Sequence, residues 1–233
     1  MPEQPTQQPP PVQRLRIQYA KRGRLRFTSH RDFSRAFERA LFRARVPMAY
    51  SSGFNPHPRI SFAGAAPTGS ASEAEYLEIA LAQVCDPAQL HQSLDQALPQ
   101  GLDIIRVVPA GAGALADHLT GSIWTMELAG FDQDRVSSAV TDFLAQPAIE
   151  VERMTKKGLR TIDVRASVVA LTYAGDTGQL LLTLRHSTPT VRPGDILVAM
   201  GKMSELDFSA VLQTRTHQGR LTESGQISDP LVD

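Results

Sequence analysis

Residues 14–28, RLRIQYAKRGRLRFT, alternate: Leu15, Ile17 and Tyr19 fall on one side and Arg14, Arg16 and Gln18 on the other. Lys21-Arg22-Gly23 interrupts the pattern, and Leu25 and Phe27 resume it. The period of two predicts a β-hairpin, or a strand with a tight return, bearing an arginine face. The period then changes. Phe33, Ala36, Phe37, Ala40, Leu41 and Ala44 recur at helical spacing behind Ser29, an N-cap with Asp32 three residues on. Pro47 ends this helix. Tyr76–Leu81 reads as a strand, Pro87–Leu98 as a helix with Leu90, Leu94, Ala97 and Leu98 inward, and Leu102–Val108 as a strand.

The second half repeats the order. It predicts a strand over Ile123–Leu128, a helix over Asp132–Leu144, and strands over Ile149–Met154, Thr161–Tyr173 and Leu180–Arg185. A short helix opens at Pro193 and runs to about Met200, and Asp207–Arg215 is a closing strand. The expected fold class is α+β, with two ferredoxin-like units in tandem. Their bounds are 14–110 and 122–217, between a disordered Pro-rich tail over 1–13 and a loose tail over 218–233.

Charge sharpens the picture. Formal net charge is zero, yet Arg14 to Arg59 holds twelve Lys/Arg against Asp32 and Glu38, a net +10. Residues 60–233 carry −9 and Glu3 the remaining −1. Arg31, Arg35, Arg39 and Arg43 recur at four-residue steps on the helix face opposite its apolar stripe, about 6 Å apart along the axis. Such a row repels itself unless an anion meets it, which points to nucleic acid; a solvated face or an acidic segment of the same chain is the alternative.

Composition is otherwise that of an ordinary globular protein, 42% hydrophobic and 21% charged. No apolar run reaches the ~20 residues of a membrane span, and the N-terminus lacks a secretory pattern, so a cytoplasmic protein without membrane association is expected. One cysteine, Cys85, excludes internal disulfides and any cysteine-only metal or iron–sulfur site within one chain. No phosphate-binding, dinucleotide-binding or nucleophile-elbow glycine motif is present, and no metal or cofactor is expected.

Candidate chemistry gathers in Asn55-Pro56-His57-Pro58-Arg59. Each proline restricts the residue before it to extended backbone, so Asn55, His57 and Arg59 project from a stiff segment. That suits recognition, and it equally suits a rigid crossover between helix and strand. His30 beside the basic helix, with His57 and the acids Asp32 and Glu75, is the candidate set for acid–base RNA cleavage. Lys156-Lys157-Gly158 is a turn with two lysines that serve either phosphate or solvent.

Three of these stretches carry a resemblance. Ser29-His30-Arg31-Asp32, Tyr50-Ser51-Ser52-Gly53-Phe54-Asn55-Pro56-His57-Pro58, and Gly69 with Ser72-Glu73-Ala74-Glu75-Tyr76 resemble the radical-SAM-linked protein family of uncharacterised function; Lys156-Lys157-Gly158 and Ile162-Asp163-Val164-Arg165 continue it. The resemblance implies a bacterial, stand-alone form acting beside a separate radical SAM enzyme or ribonuclease, since Cys85 alone cannot hold a cluster needing three cysteines. The functional expectation is an RNA-binding accessory protein. Arg24, Arg26, Arg31, Arg35, Arg39, Arg43, Lys156 and Lys157 are its candidate phosphate contacts, and Asn55, His57 and Arg59 its candidate nucleotide contacts. An RNA-processing enzyme using His57 and His30, and a protein–protein adaptor with a basic docking helix, are the alternatives.

Overall fold

A computed structural model describes residues 7–128, 130–155 and 158–232 of the chain. The fold is α+β and divides into two compact units, the first running to His118 and taking in Pro230, the second Leu119–Asp229.

In the first unit, β1 (Gln13–Lys21), α1 (His30–Arg43), β2 (Ile60–Ala63), β3 (Ala71–Leu81), α2 (Pro87–Ala97) and β4 (Ile104–Pro109) follow in order. The strands lie antiparallel in the order β4-β1-β3-β2. The alternating apolar positions of β1 and β3 (Leu15, Ile17, Tyr19, Leu77, Ile79, Leu81) face the core. Phe33, Phe37, Ala40 and Leu41 of α1 and Leu90 and Leu94 of α2 cover that face. Tyr19 stacks on Phe33 with centroids 4.4 Å apart, and Phe33 on Phe37 at 5.8 Å.

The return strand expected after Gly23 is absent. A 3-10 turn, Gly23–Phe27, takes its place, with Gly23 at φ 53°. The reason is topological: β1 is hydrogen-bonded on both edges, to β3 and to β4, so no edge is left for Leu25 and Phe27 to pair with. Leu25 instead packs against the core while Phe27 is exposed.

The second unit runs β5 (Gly121–Glu127), α3 (Gln133–Ala145), β6 (Glu150–Thr155), β7 (Gly158–Asp163), β8 (Val168–Ala174), β9 (Gln179–Arg185), α4 (Pro193–Ser204), β10 (Leu212–Leu221) and β11 (Ile227–Ser228). Its main sheet has the antiparallel order β10-β5-β9-β8, while β6 and β7 form a separate hairpin. Arg153 of β6 ties that hairpin to α4 through a 2.6 Å bond to Asp195, whose carboxylate also accepts from Arg192 N at the helix start.

Three expectations are corrected here. The stretch Thr161–Tyr173 is two strands: a 3-10 turn, Arg165–Ser167, separates β7 from β8, because Asp163 accepts from Arg165 N and Arg165 reaches back to Val168 O and Leu144 O. The closing strand starts at Leu212, since Asp207 caps its own turn through Ser209 N and Phe208 is buried against Phe131. Residues beyond Gly219 are not a loose tail: β10 continues to Leu221 and β11 pairs with it.

Candidate functional site

Because the core takes Phe33, Phe37, Ala40 and Leu41, helix geometry turns Arg31, Arg35 and Arg39 outward. Ser29 fixes where the helix begins: its hydroxyl donates to Asp32 at 2.6 Å and accepts from Asp32 N at 3.2 Å. Among the described residues, Arg31, Arg35 and Arg39 make no ion pair and no side-chain hydrogen bond. Arg43, the fourth of the row, is anchored, its guanidinium donating to Ala97 O at the end of α2. That anchor leaves a cleft of about 850 Å³ lined by Arg39, Arg43 and Arg45 on one side and Ser93, Gln96 and Pro99 on the other, with no carboxylate among its lining residues. An open hollow of about 450 Å³ adjoins it, formed by Arg35, Glu38, Arg39, Phe42 and Arg43.

Most of the other basic residues of this segment are spent inside the unit. Arg16 pairs with Glu78 at 3.2 Å and donates to the carbonyls of Gly111, Ala112 and Gly113; Arg14 also reaches Glu78, at 3.4 Å. Arg22 bridges Glu73 and Asp103, and Lys21 donates to Ala66 O and Pro67 O. Arg26 is half-buried with its guanidinium 4.5 Å over the Phe27 ring, whereas Arg24 is exposed and makes no ion pair among the described residues. The internal pairing foreseen as an alternative therefore accounts for part of the charge. It does not reach the outward row of α1.

The proline loop is pinned at its neck. His57 N donates to Ser51 Oγ (3.0 Å), Ser51 N donates to His57 O (2.9 Å), and Tyr50 bridges to Pro58. Arg59 turns back to the neck, its Nε donating to Tyr50 O at 3.0 Å. Phe54, 75% exposed, projects from the tip with Asn55 and His57, and Gly53 supplies the φ of 147° there.

Among the described residues, the candidate histidines His30 and His57 and the carboxylate of Asp32 do not assemble into a hydrogen-bonded group. His30 is exposed and sits edge-on to Phe62 at 4.8 Å, and Asp32 is engaged by Ser29. Glu75 is 2% exposed and both its oxygens accept from Ala66 N, holding the loop that Lys21 grips from the carbonyl side. No hydrogen bond or ion pair joins His30, Asp32, Asn55 and His57 to one another among the described residues. No group of three or more His, Cys, Asp or Glu is placed for a metal ion among them either. Lys156 and Lys157 lie outside the described residues.

In the second unit, His186 lies 2.8 Å from Leu119 O through Nδ1 and 3.0 Å from Ser122 Oγ through Nε2. Trp124 Nε1 donates to the same hydroxyl at 2.9 Å. The carbonyl requires the proton on Nδ1, so Nε2 accepts from Ser122. Burial holds this imidazole below its ordinary pKa, against the opposing pull of the Leu119 carbonyl. Ser122 is itself buried, so the pair braces β5 and offers no nucleophile to solvent.

Sequence reading did not single out Phe42, Arg45, Ser93, Gln96 or Pro99. Phe42 was the readable one: it is an aromatic outside the apolar stripe, one turn beyond Arg39. The α2 residues carry no signal of their own, because only packing brings them to the end of α1.

Residues 14–193 match the model of a family described as an uncharacterized protein conserved in bacteria, DUF2344. No curated protein matches the chain. The match spans well over half of the sequence, and the chain belongs to this bacterial family.

Proposed function

We propose that this DUF2344 member is an RNA-binding accessory protein, with the outward face of α1 as its phosphate-binding surface. One observation carries the reading: Arg31, Arg35 and Arg39 stand on successive turns without an ion pair among the described residues, beside a cleft lined by Arg39, Arg43 and Arg45 and by no carboxylate. Like charges four residues apart destabilise a helix by a few tenths of a kcal/mol per pair, and a polyanion removes that penalty. Asn55 and His57, held at the end of a pinned loop, are the proposed nucleotide contacts, and Arg24 and Arg26 of the 3-10 turn before α1 are proposed as further phosphate contacts.

The strand orders support reading each unit as ferredoxin-like, the second with the β6–β7 hairpin inserted after its first helix. Sheets of that kind serve as RNA platforms, an analogy of fold alone. The resemblance of the His30, NPHP and Ser72–Tyr76 stretches to radical-SAM-linked proteins supports a cytoplasmic partner enzyme that acts on the same RNA, a radical SAM protein or a ribonuclease.

The test is binding of a labelled single-stranded RNA by the wild type and by the variant Arg31→Glu/Arg35→Glu/Arg39→Glu. All three side chains are exposed, so the variant keeps its fold, and its affinity drops at least 100-fold. Equal affinity rejects the proposal, as does co-purification with an acidic protein and no nucleic acid.

A further inference from the structure

Phe42 is 86% exposed, on a helix whose other phenylalanines, Phe33 and Phe37, are buried. Its surroundings are cationic: Arg35, Arg39 and Arg43 border the same hollow, with Glu38 the lone acid. On the helix surface Arg39 and Phe42 are i, i+3 neighbours, and Arg39 also lines the cleft with Arg43 and Arg45.

A bare ring among guanidinium groups is a poor match for an apolar protein face. Docking such a face would bury several charges without partners. A ligand that satisfies the hollow needs a flat apolar face next to an anion. A nucleotide has both, a base for the ring and a phosphate for the arginines. In a duplex the base faces are stacked on each other and closed to a side chain, so the strand must be single.

We infer that Phe42 is a base-stacking platform and that this surface takes single-stranded rather than duplex RNA, with phosphates flanking the stacked base held by Arg39, Arg43 and Arg45. The inference rests on the RNA-binding reading and specifies its substrate class.

The experiment measures anisotropy of a labelled 12-nucleotide oligouridylate, of an abasic phosphodiester of equal length, and of a duplex of equal length. Wild type prefers the base-bearing single strand to both others. Phe42→Ala weakens oligouridylate binding about 10-fold, within the range of base–aromatic stacking, brings it to the abasic level and leaves the salt dependence unchanged. Phe42→Trp retains affinity, and its emission is quenched on binding; Trp124 is buried, so the change reports on position 42. Unchanged oligouridylate affinity in Phe42→Ala, with binding still sensitive to the arginines, overturns the stacking site and leaves the RNA reading standing. Equal affinity for duplex overturns the single-strand assignment. Absence of any nucleic-acid binding by the wild type, or Phe42-dependent binding of a poly-glutamate peptide instead, overturns both readings.

Discussion

Arg16 shows how far a residue's role depends on partners distant in sequence. Its place on an alternating strand marks it as one of a row of surface charges, yet its side chain is 1% exposed, held by Glu78 and by three carbonyls at positions 111–113. A fully buried guanidinium has to be matched this completely to be tolerated. Arg16→Met, which strands those carbonyls and leaves Glu78 to the longer Arg14 contact, should cost about 3 kcal/mol in chemical denaturation. Arg16→Lys should recover less than half of that, since one ammonium cannot serve both the carboxylate and the carbonyls. A loss under about 1 kcal/mol for Arg16→Met would contradict this account.

His186 makes a second residue-scale prediction, with its sign set by burial. Its folded pKa is lowered from the ordinary value of about 6.5. As pH falls below about 6.5 the unfolded chain binds the proton first, so stability declines from there down to the folded pKa; above about 6.5 it is insensitive to this group. His186→Gln should flatten the fall of the melting temperature as pH drops below about 6.5. An unchanged slope in the variant would show that other groups set the acid limb.

At the scale of elements, the helices were legible. Ser29, Asp86 and Asp132 cap α1, α2 and α3 through their own side chains, and the apolar stripes behind them are strictly periodic. Strands were legible where alternation alone defined them, as in β1 and in the Tyr76–Leu81 half of β3, which begins at Ala71. They were misread where pairing decided the outcome: Leu25 and Phe27 alternate, but β1 has no free edge. The proline loop was legible as stiff, though its stiffness owes as much to the Ser51–His57 clamp as to the prolines. The β10–β11 hairpin was missed because its signal is a close backbone approach rather than a pattern. A Cβ on Gly219 would fall 1.8 Å from Ser228 O. Gly219→Ala should therefore force the two strands apart, costing about 1–3 kcal/mol and removing amide-exchange protection over 219–228. Wild-type protection there would mean that the hairpin accommodates the methyl group.

At the scale of the whole molecule, the polarity along the sequence becomes milder once the units are known. Residues 7–118 hold thirteen Lys/Arg against nine Asp/Glu, a net +4, and residues 119–229 hold eleven against thirteen, a net −2. Glu73, Glu78 and Asp103, which lie in the acidic stretch of the sequence, fold back onto the basic one. What survives is local: a short arginine surface on one helix, with an exposed phenylalanine and an arginine-lined cleft beside it. The sequence showed the arginine row, but not which members would be consumed internally; pairing is a property of the sheet register and of loops up to about a hundred residues away. The central claim is that this residual surface binds phosphates. The most direct measurement is the slope of log affinity for single-stranded RNA against log salt, compared between the wild type and Arg31→Gln/Arg35→Gln/Arg39→Gln. Each lost phosphate contact on a single strand lowers the slope by about 0.7, so the neutralised variant should bind more weakly with a slope shallower by about 2. Identical slopes would mean that those three arginines meet no phosphate, and the account would be wrong.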